Sequence, residues 1–182
     1  MDIKIGTLNF LTAKENTNML AMPVATAIND LSNVEGVGVA EIDPTLSDTA
    51  GFCENYKVAP EQAANCVIIE AKRGESRQLV ACVILANTRT DVNGKVCEFL
   101  NMKKASFAPM EKAVAESGME FGAITPVGLP KDWPILVDKA VADSAYVIIG
   151  SGIRGSKLAV PGPFLASLPN ATIVEGLAHP RV

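Results

Sequence analysis

Residues Glu120 to Asp138 read E-F-G-A-I-T-P-V-G-L-P-K-D-W-P-I-L-V-D, an apolar run punctuated by glycines and prolines. Gly122 and Pro126 bracket a G-x-x-x-P loop, Gly128 and Pro130 mark a second bend, and Ile135 to Asp138 is predicted to be a short strand. Glycine lets a backbone approach a ligand closely, and proline stiffens the chain while withdrawing one N–H. A rigid loop with exposed amides suits the binding of a carbonyl or an oxyanion. The same pattern also describes an ordinary strand-turn-strand corner.

Outward from this loop, strands and helices are interleaved. Upstream, Ala108 to Ser117 is predicted to be a helix stopped by Gly118. Gln78 to Ala86 and Cys66 to Ala71 form two apolar strands joined by the polar link Lys72 to Ser76, a hairpin. Thr90 or Asp91 is placed to cap a helix reaching Leu100, weakened by Gly94. Pro60 starts a helical turn. Ser47 or Asp48 caps a helix reaching Tyr56, Val37 to Ile42 is a strand, and Pro23 opens a helix through Leu31. The first fifteen residues show no clear period. Downstream, Ala145 to Gly150, Lys157 to Val160 and Ala171 to Glu175 are strands, with a brief helix from Pro163 to Leu168. Hairpin neighbours mixed with helices predict an α/β (α+β) fold with a mixed sheet. No internal repeat or linker divides the chain, so residues 1–182 are expected to be a single domain.

With 182 residues, 48% of them hydrophobic and only 5% aromatic, the core is expected to be aliphatic. The net charge of −4 argues against coating a long nucleic acid, and no DNA partner is expected. A local basic patch remains open, with Lys103, Lys104, Lys131, Arg154 and Lys157 as its candidates. The four cysteines lack C-x-x-C spacing and have a single histidine beside them, so neither a metal nor a cofactor is expected. Cys66 and Cys82 read as buried thiols. No stretch is long enough to cross a membrane, and a reducing cytoplasm is the expected location.

The lone histidine, His179, lies in the tail, where disorder is the default expectation. A Ser-His-Asp or Cys-His arrangement is therefore not expected. Gly150 to Gly155 match G-x-G-x-x-G after a strand, with Glu175 at the end of a later one. Pro161 and Pro163 would break the helix that a dinucleotide site requires, so coincidence is the better reading. Asp138 ends a strand where it could face the Gly122 loop and orient a water or a hydroxyl; an Asp in this position equally caps a turn.

Several segments, in order, resemble the YbaK family, which includes the editing domain inserted in bacterial prolyl-tRNA synthetases. They are D-T-A-G-F-C (Asp48–Cys53), E-Q-A-A-N-C-V-I-I (Glu61–Ile69), K-K-A-S-F-A (Lys103–Ala108), G-A-I-T-P-V-G-L-P (Gly122–Pro130), P-I-L-V-D (Pro134–Asp138) and G-S-G-I-R-G (Gly150–Gly155). The resemblance spans about Asp43 to Leu168. It implies a curved, partly barrel-like sheet around a small pocket, and hydrolysis of the ester joining a wrong, small amino acid (alanine, cysteine or serine) to a tRNA resembling tRNA(Pro). The implied partner is the acceptor end of an aminoacyl-tRNA, with a synthetase as a possible second one. The amides of Gly122, Ala123, Ile124, Thr125 and Pro126's loop would hold the acyl carbonyl, with Gly122 catalytic. Ser151, Gly152 and Arg154 would line the pocket, with Asp138 and Lys104 as further substrate contacts. Members of that family often carry a lysine where this chain has Asn65. An amide hydrogen-bonds without supplying charge, so Asn65 acts catalytically as an amide, or Lys72, Arg89 or Lys104 substitutes, or hydrolysis is lost and a binding module remains.

Overall fold

The computed structural model describes residues 2–182. In chain order the strands and helices are β1 (Ile3–Ile5), β2 (Leu8–Thr12), α1 (Met22–Asp30), β3 (Gly38–Glu41), α2 (Thr49–Tyr56), β4 (Ala64–Arg73), β5 (Ser76–Leu85) and β6 (Thr88–Thr90). There follow α3 (Cys97–Leu100), β7 (Lys104–Phe107), α4 (Met110–Ser117), β8 (Ile135–Asp138), α5 (Lys139–Ala142), β9 (Val147–Gly150), β10 (Ser156–Val160), α6 (Gly162–Ala166), β11 (Ala171–Val174) and β12 (Ala178–Pro180).

The β4–β5 hairpin pairs over its whole length, from Ala64 opposite Leu85 to Arg73 opposite Ser76. Its near-continuous apolar sequence resolves into two faces with a period of two. Ala64, Cys66 and Ile68, with Leu79, Ala81 and Val83, enter the main core beneath α1, α4, α5 and α6. Val67, Ile69 and Ala71, with Val80, Cys82 and Ile84, enter a second core closed by α3 and Leu177. A strand covered on both sides has to be apolar at every position.

Two sheets result, ordered β1-β2-β3-β10-β9 and β11-β8-β5-β4-β7. The pairings β5–β8 and β8–β11 are parallel and the others antiparallel, so the sheet is mixed. Strand β7 covers only Ile69 to Lys72 of β4, which leaves the start of β4 open. There Ala63 bridges to Ile148 in a parallel sense and joins the two sheets into one curled half-barrel. On the outer side of this joint, Ala63, Ile148 and Ala159 pack with Phe52 of α2 in a third core.

Several elements depart from the sequence reading. The unperiodic N-terminus forms the β1–β2 hairpin, with Ile3 opposite Phe10. The predicted helix up to Leu100 is a π-turn over Val92–Val96 followed by the short α3, and the Asp91 carboxylate accepts from the amides of Gly94 and Lys95. The tail expected to be disordered pairs instead with β6, His179 opposite Arg89, and the Arg181 Nε donates to the Thr88 carbonyl at 3.0 Å. The strand expected at Lys157 to Val160 is present as β10 (Ser156–Val160) directly after Gly155, in agreement with reading the glycine motif as a coincidence.

Between sheet and α4, Glu70 is only 5% exposed and meets Lys112 at 2.8 Å, Arg77 at 3.0 Å and Lys72 at 3.1 Å. Lys112 foremost, with Lys72 and Arg77, holds its carboxyl at about 2, below its ordinary 4.5. The stabilisation is therefore complete above pH 4.5 and is lost as pH falls through about 2. Glu70→Gln is expected to lower stability by about 1–3 kcal/mol at neutral pH. It should also flatten the acid limb of the unfolding profile measured in urea; a limb identical to wild type would refute the linkage.

Candidate functional site

The joint between β4 and β9 places three residues in a row across three strands. Lys157 of β10 lies opposite Gly150 of β9, and continuing the Ala63–Ile148 bridge by two residues brings Gly150 beside Asn65 of β4. At about 4.8 Å per strand, the Lys157 and Asn65 backbones stand roughly 10 Å apart with a glycine between them. This row is the floor of the site.

One wall is the segment leading into α2. The Thr49 hydroxyl donates to Oδ1 of Asn65 at 2.8 Å, which turns the Asn65 NH₂ away from Thr49 and leaves it as a donor. The Lys157 ammonium donates to the Ser47 carbonyl at 3.1 Å and lies 5.1 Å from the Phe52 ring centre, a cation–π contact. Asp48 caps α2 through the Gly51 amide at 3.0 Å, as the sequence predicts.

The other wall is the G-x-x-x-P loop. A Cβ on Gly150 would stand 2.6 Å from the Ala123 carbonyl oxygen and 3.2 Å from that of Ile124. The loop rests on the floor because residue 150 has no side chain. It is zipped to the following turn, the Glu120 amide donating to Gly152 O at 2.8 Å and the Gly152 amide to Ala123 O at 2.9 Å. Within the loop the amides alternate. Ala123 N donates to Glu120 O at 3.1 Å and Thr125 N to the Met119 sulfur at 3.4 Å. Among the described residues, the amides of Gly122 and Ile124 have no protein acceptor. Gly122 sits at φ +79, where a side chain is strained.

Arg154 bridges the walls. Its guanidinium donates to Phe121 O and to Pro44 O, each at 3.4 Å, while its backbone N–H goes to the Glu120 carboxylate at 3.0 Å. Ser151 and Thr125 are fully buried and Pro126 is buried too. The Ser151 hydroxyl fastens the turn through Ser156, 2.7 Å away, whereas the Thr125 hydroxyl has no partner. Burial pushes the Lys157 ammonium below its ordinary value; the nearby Arg154 charge adds to this, against Cys53 and Asp48, which raise it.

Asn65, Gly122, Ala123, Ile124, Gly152 and Arg154 thus converge. Two named residues lie elsewhere. Lys104 sits opposite Lys72, and the stretch of β4 from Asn65 to Lys72, at roughly 3.3 Å per residue, sets it on the order of 20 Å from Asn65. Asp138 faces the amides of Leu177, Ala178, Lys139 and Ala140; burial raises its pKa and those amides oppose the rise. Of the alternative cations, Lys72 is engaged by Glu70 and Arg89 lies on β6 against β12. Thr49, Ser47 and Lys157 were not singled out as site residues from sequence. Their signals were the D-T-A-G-F-C segment, read as a helix start, and a strand lysine read as part of a surface patch.

The aminoacyl-tRNA editing domain model matches residues 43–168. A solved structure described as a candidate trans-editing enzyme for prolyl tRNA synthetase superposes with a TM-score of 0.71 at 16% identity, covering 85% of this chain and 94% of that one. A scaffold protein for computational epitope grafting gives 0.71 and 16%, over 85% and 95%. A hypothetical protein gives 0.68 and 20%, over 78% and 90%. At these identities the likeness shows the fold.

Gly150→Ala is expected to lift the loop from the floor at a cost of about 1–3 kcal/mol, as overpacking does. Thermal melting with hydrogen exchange at Ala123 checks this: faster exchange there is predicted, and exchange equal to wild type would contradict the seating.

Proposed function

The chain belongs to the aminoacyl-tRNA editing domain family, and on that premise we propose that it is a deacylase acting in trans on a tRNA mischarged with a small amino acid. The observation that carries the proposal is the pair of amides, Gly122 and Ile124, without acceptors among the described residues, on a loop seated against Gly150. Such donors cost no reorganisation when charge develops on an acyl oxygen.

The ester carbonyl oxygen accepts hydrogen bonds from these amides. Water adds to the carbonyl carbon, the negative charge gathers on the held oxygen, and the bond to the ribose oxygen breaks as that oxygen takes up a proton. The free acid and a tRNA with its terminal hydroxyl restored are the products. The Asn65 NH₂, oriented by Thr49, donates at the same floor and positions the substrate or the water. No ionisable base is required of the protein if the terminal ribose hydroxyl helps to place the water. Alanine, cysteine or serine is the amino acid proposed, following the family resemblance of the sequence. The trans assignment leans on the structural neighbour described as a candidate trans-editing enzyme, and a tRNA resembling tRNA(Pro) is the substrate proposed with it.

A panel of mischarged tRNAs tests the reading. Wild type is expected to release a small amino acid from one or more of them, and release from none would sink the proposal. Ile124→Pro deletes one of the free N–H groups, and loss of a donor to the oxyanion is expected to lower kcat by about 10²–10³-fold. Asn65→Ala is expected to fall less, since one neutral hydrogen bond contributes about 1 kcal/mol, or roughly fivefold. A correctly folded Ile124→Pro variant with wild-type turnover would remove the loop from the mechanism.

A further inference from the structure

A buried charge is ordinarily paired, because desolvation of an isolated ion is expensive. The Glu70 cluster obeys this rule, with three cations around one carboxylate. The site does not. Among the described residues, neither Lys157 nor Arg154 has a carboxylate within the 4.0 Å of an ion pair. Lys157 spends one donor on the Ser47 carbonyl and Arg154 spends two on the carbonyls of Phe121 and Pro44. Two acids of the neighbourhood are committed to backbone: Asp48 to the cap of α2 and Glu120 to the Arg154 amide.

Two cations are therefore gathered where their charges repel, in a protein whose net charge is −4. Unspent donors and uncompensated positive charge at one partly open position define a seat for an anion. We infer that Lys157, with Arg154 beside it, binds the phosphodiester that precedes the terminal nucleoside of the acceptor end. This rests on the deacylase reading and adds to it the part of the substrate that the floor's missing charge would grip. Lys157 thereby supplies, from β10, a cation that Asn65 on β4 cannot.

The geometry fits such a division of labour. Lys157 neighbours Gly150 on β10 and the loop rests over Gly150 itself, so a phosphate held by the ammonium sets the terminal ribose and its ester toward the loop and its free amides.

The test uses two probes, adenosine and the dinucleoside phosphate cytidylyl-adenosine, titrated by NMR into the full chain. Wild type is expected to prefer the dinucleoside phosphate, and Lys157→Met to narrow that preference about tenfold, as loss of a charge-assisted contact would. Lys157→Arg should retain most of the preference. The salt dependence of dinucleoside binding should be weaker in Lys157→Met than in wild type, because one screened ion contact is lost. Because Lys157 is half-buried without a carboxylate partner, Lys157→Met should melt no lower than wild type. A preference and slope equal to wild type in Lys157→Met overturn the inference even where wild type deacylates tRNA. A wild type that shows the phosphate preference but hydrolyses nothing in the tRNA panel leaves the inference standing and fails the deacylase reading alone.

Discussion

The carbonyls of Ala123 and Ile124 lie where the side chain of residue 150 would be, the nearer only 2.6 Å from a Cβ placed there. That close approach between a loop and a strand end governs the arrangement of the whole site. It requires glycine at 150, because the loop carbonyls take up the room of a side chain there, between Lys157 and Asn65. It also fixes the phase of the loop: Ala123 O is taken by Gly152, Ala123 N by Glu120 and Thr125 N by Met119. The amides left over are those of Gly122 and Ile124. A loop in another phase would spend these donors on the protein and free the wrong ones.

The seat in turn depends on the sheet. Strand β9 reaches β4 only because β7 stops short and leaves the first residues of β4 unpaired. The curl of the half-barrel and the position of the floor are consequently one feature. The charged groups divide along the same line. Around Glu70, one carboxylate is shared by Lys72, Arg77 and Lys112, and the cluster ties α4 to the sheet. Around Gly150, among the described residues, Lys157 and Arg154 have no carboxylate within ion-pair distance and donate instead to the carbonyls of Ser47, Phe121 and Pro44.

Much of the scaffold was readable in the chain because its signals are local. The β4–β5 hairpin, the Asp48 cap and the glycine that ends α4 each depend on neighbours in sequence. Elements with little local signal were missed. Strand β7 has one buried residue, Ala105, in four, so it carries no alternation. Strands β1, β6 and β12 have three residues each and exist through their pairing partners. The loop and Asn65 could be singled out through their resemblance to a family. Lys157 could not be distinguished from a surface lysine, because its position opposite Gly150 and beneath α2 is a property of the folded sheet. Asp138 shows the limit from the other side: a strand-terminal acid in an apolar setting was compatible with a substrate role, and the amides of Leu177 and Ala178 that meet it come from a turn remote in sequence.

The central claim is that two particular backbone N–H groups are held free for an acyl oxygen. It is tested most directly by ¹⁵N-resolved NMR of the chain titrated with a 3′-aminoacyl-adenosine analogue carrying an amide in place of the ester. The account predicts that the Gly122 and Ile124 amide resonances move together on binding, while Ala123 and Thr125, already hydrogen-bonded, move less. The contradicting result is saturable binding in which Gly122 and Ile124 stay unmoved and the shifts gather instead along the groove of about 1000 Å³ lined by Met22, Ala27 and Leu129.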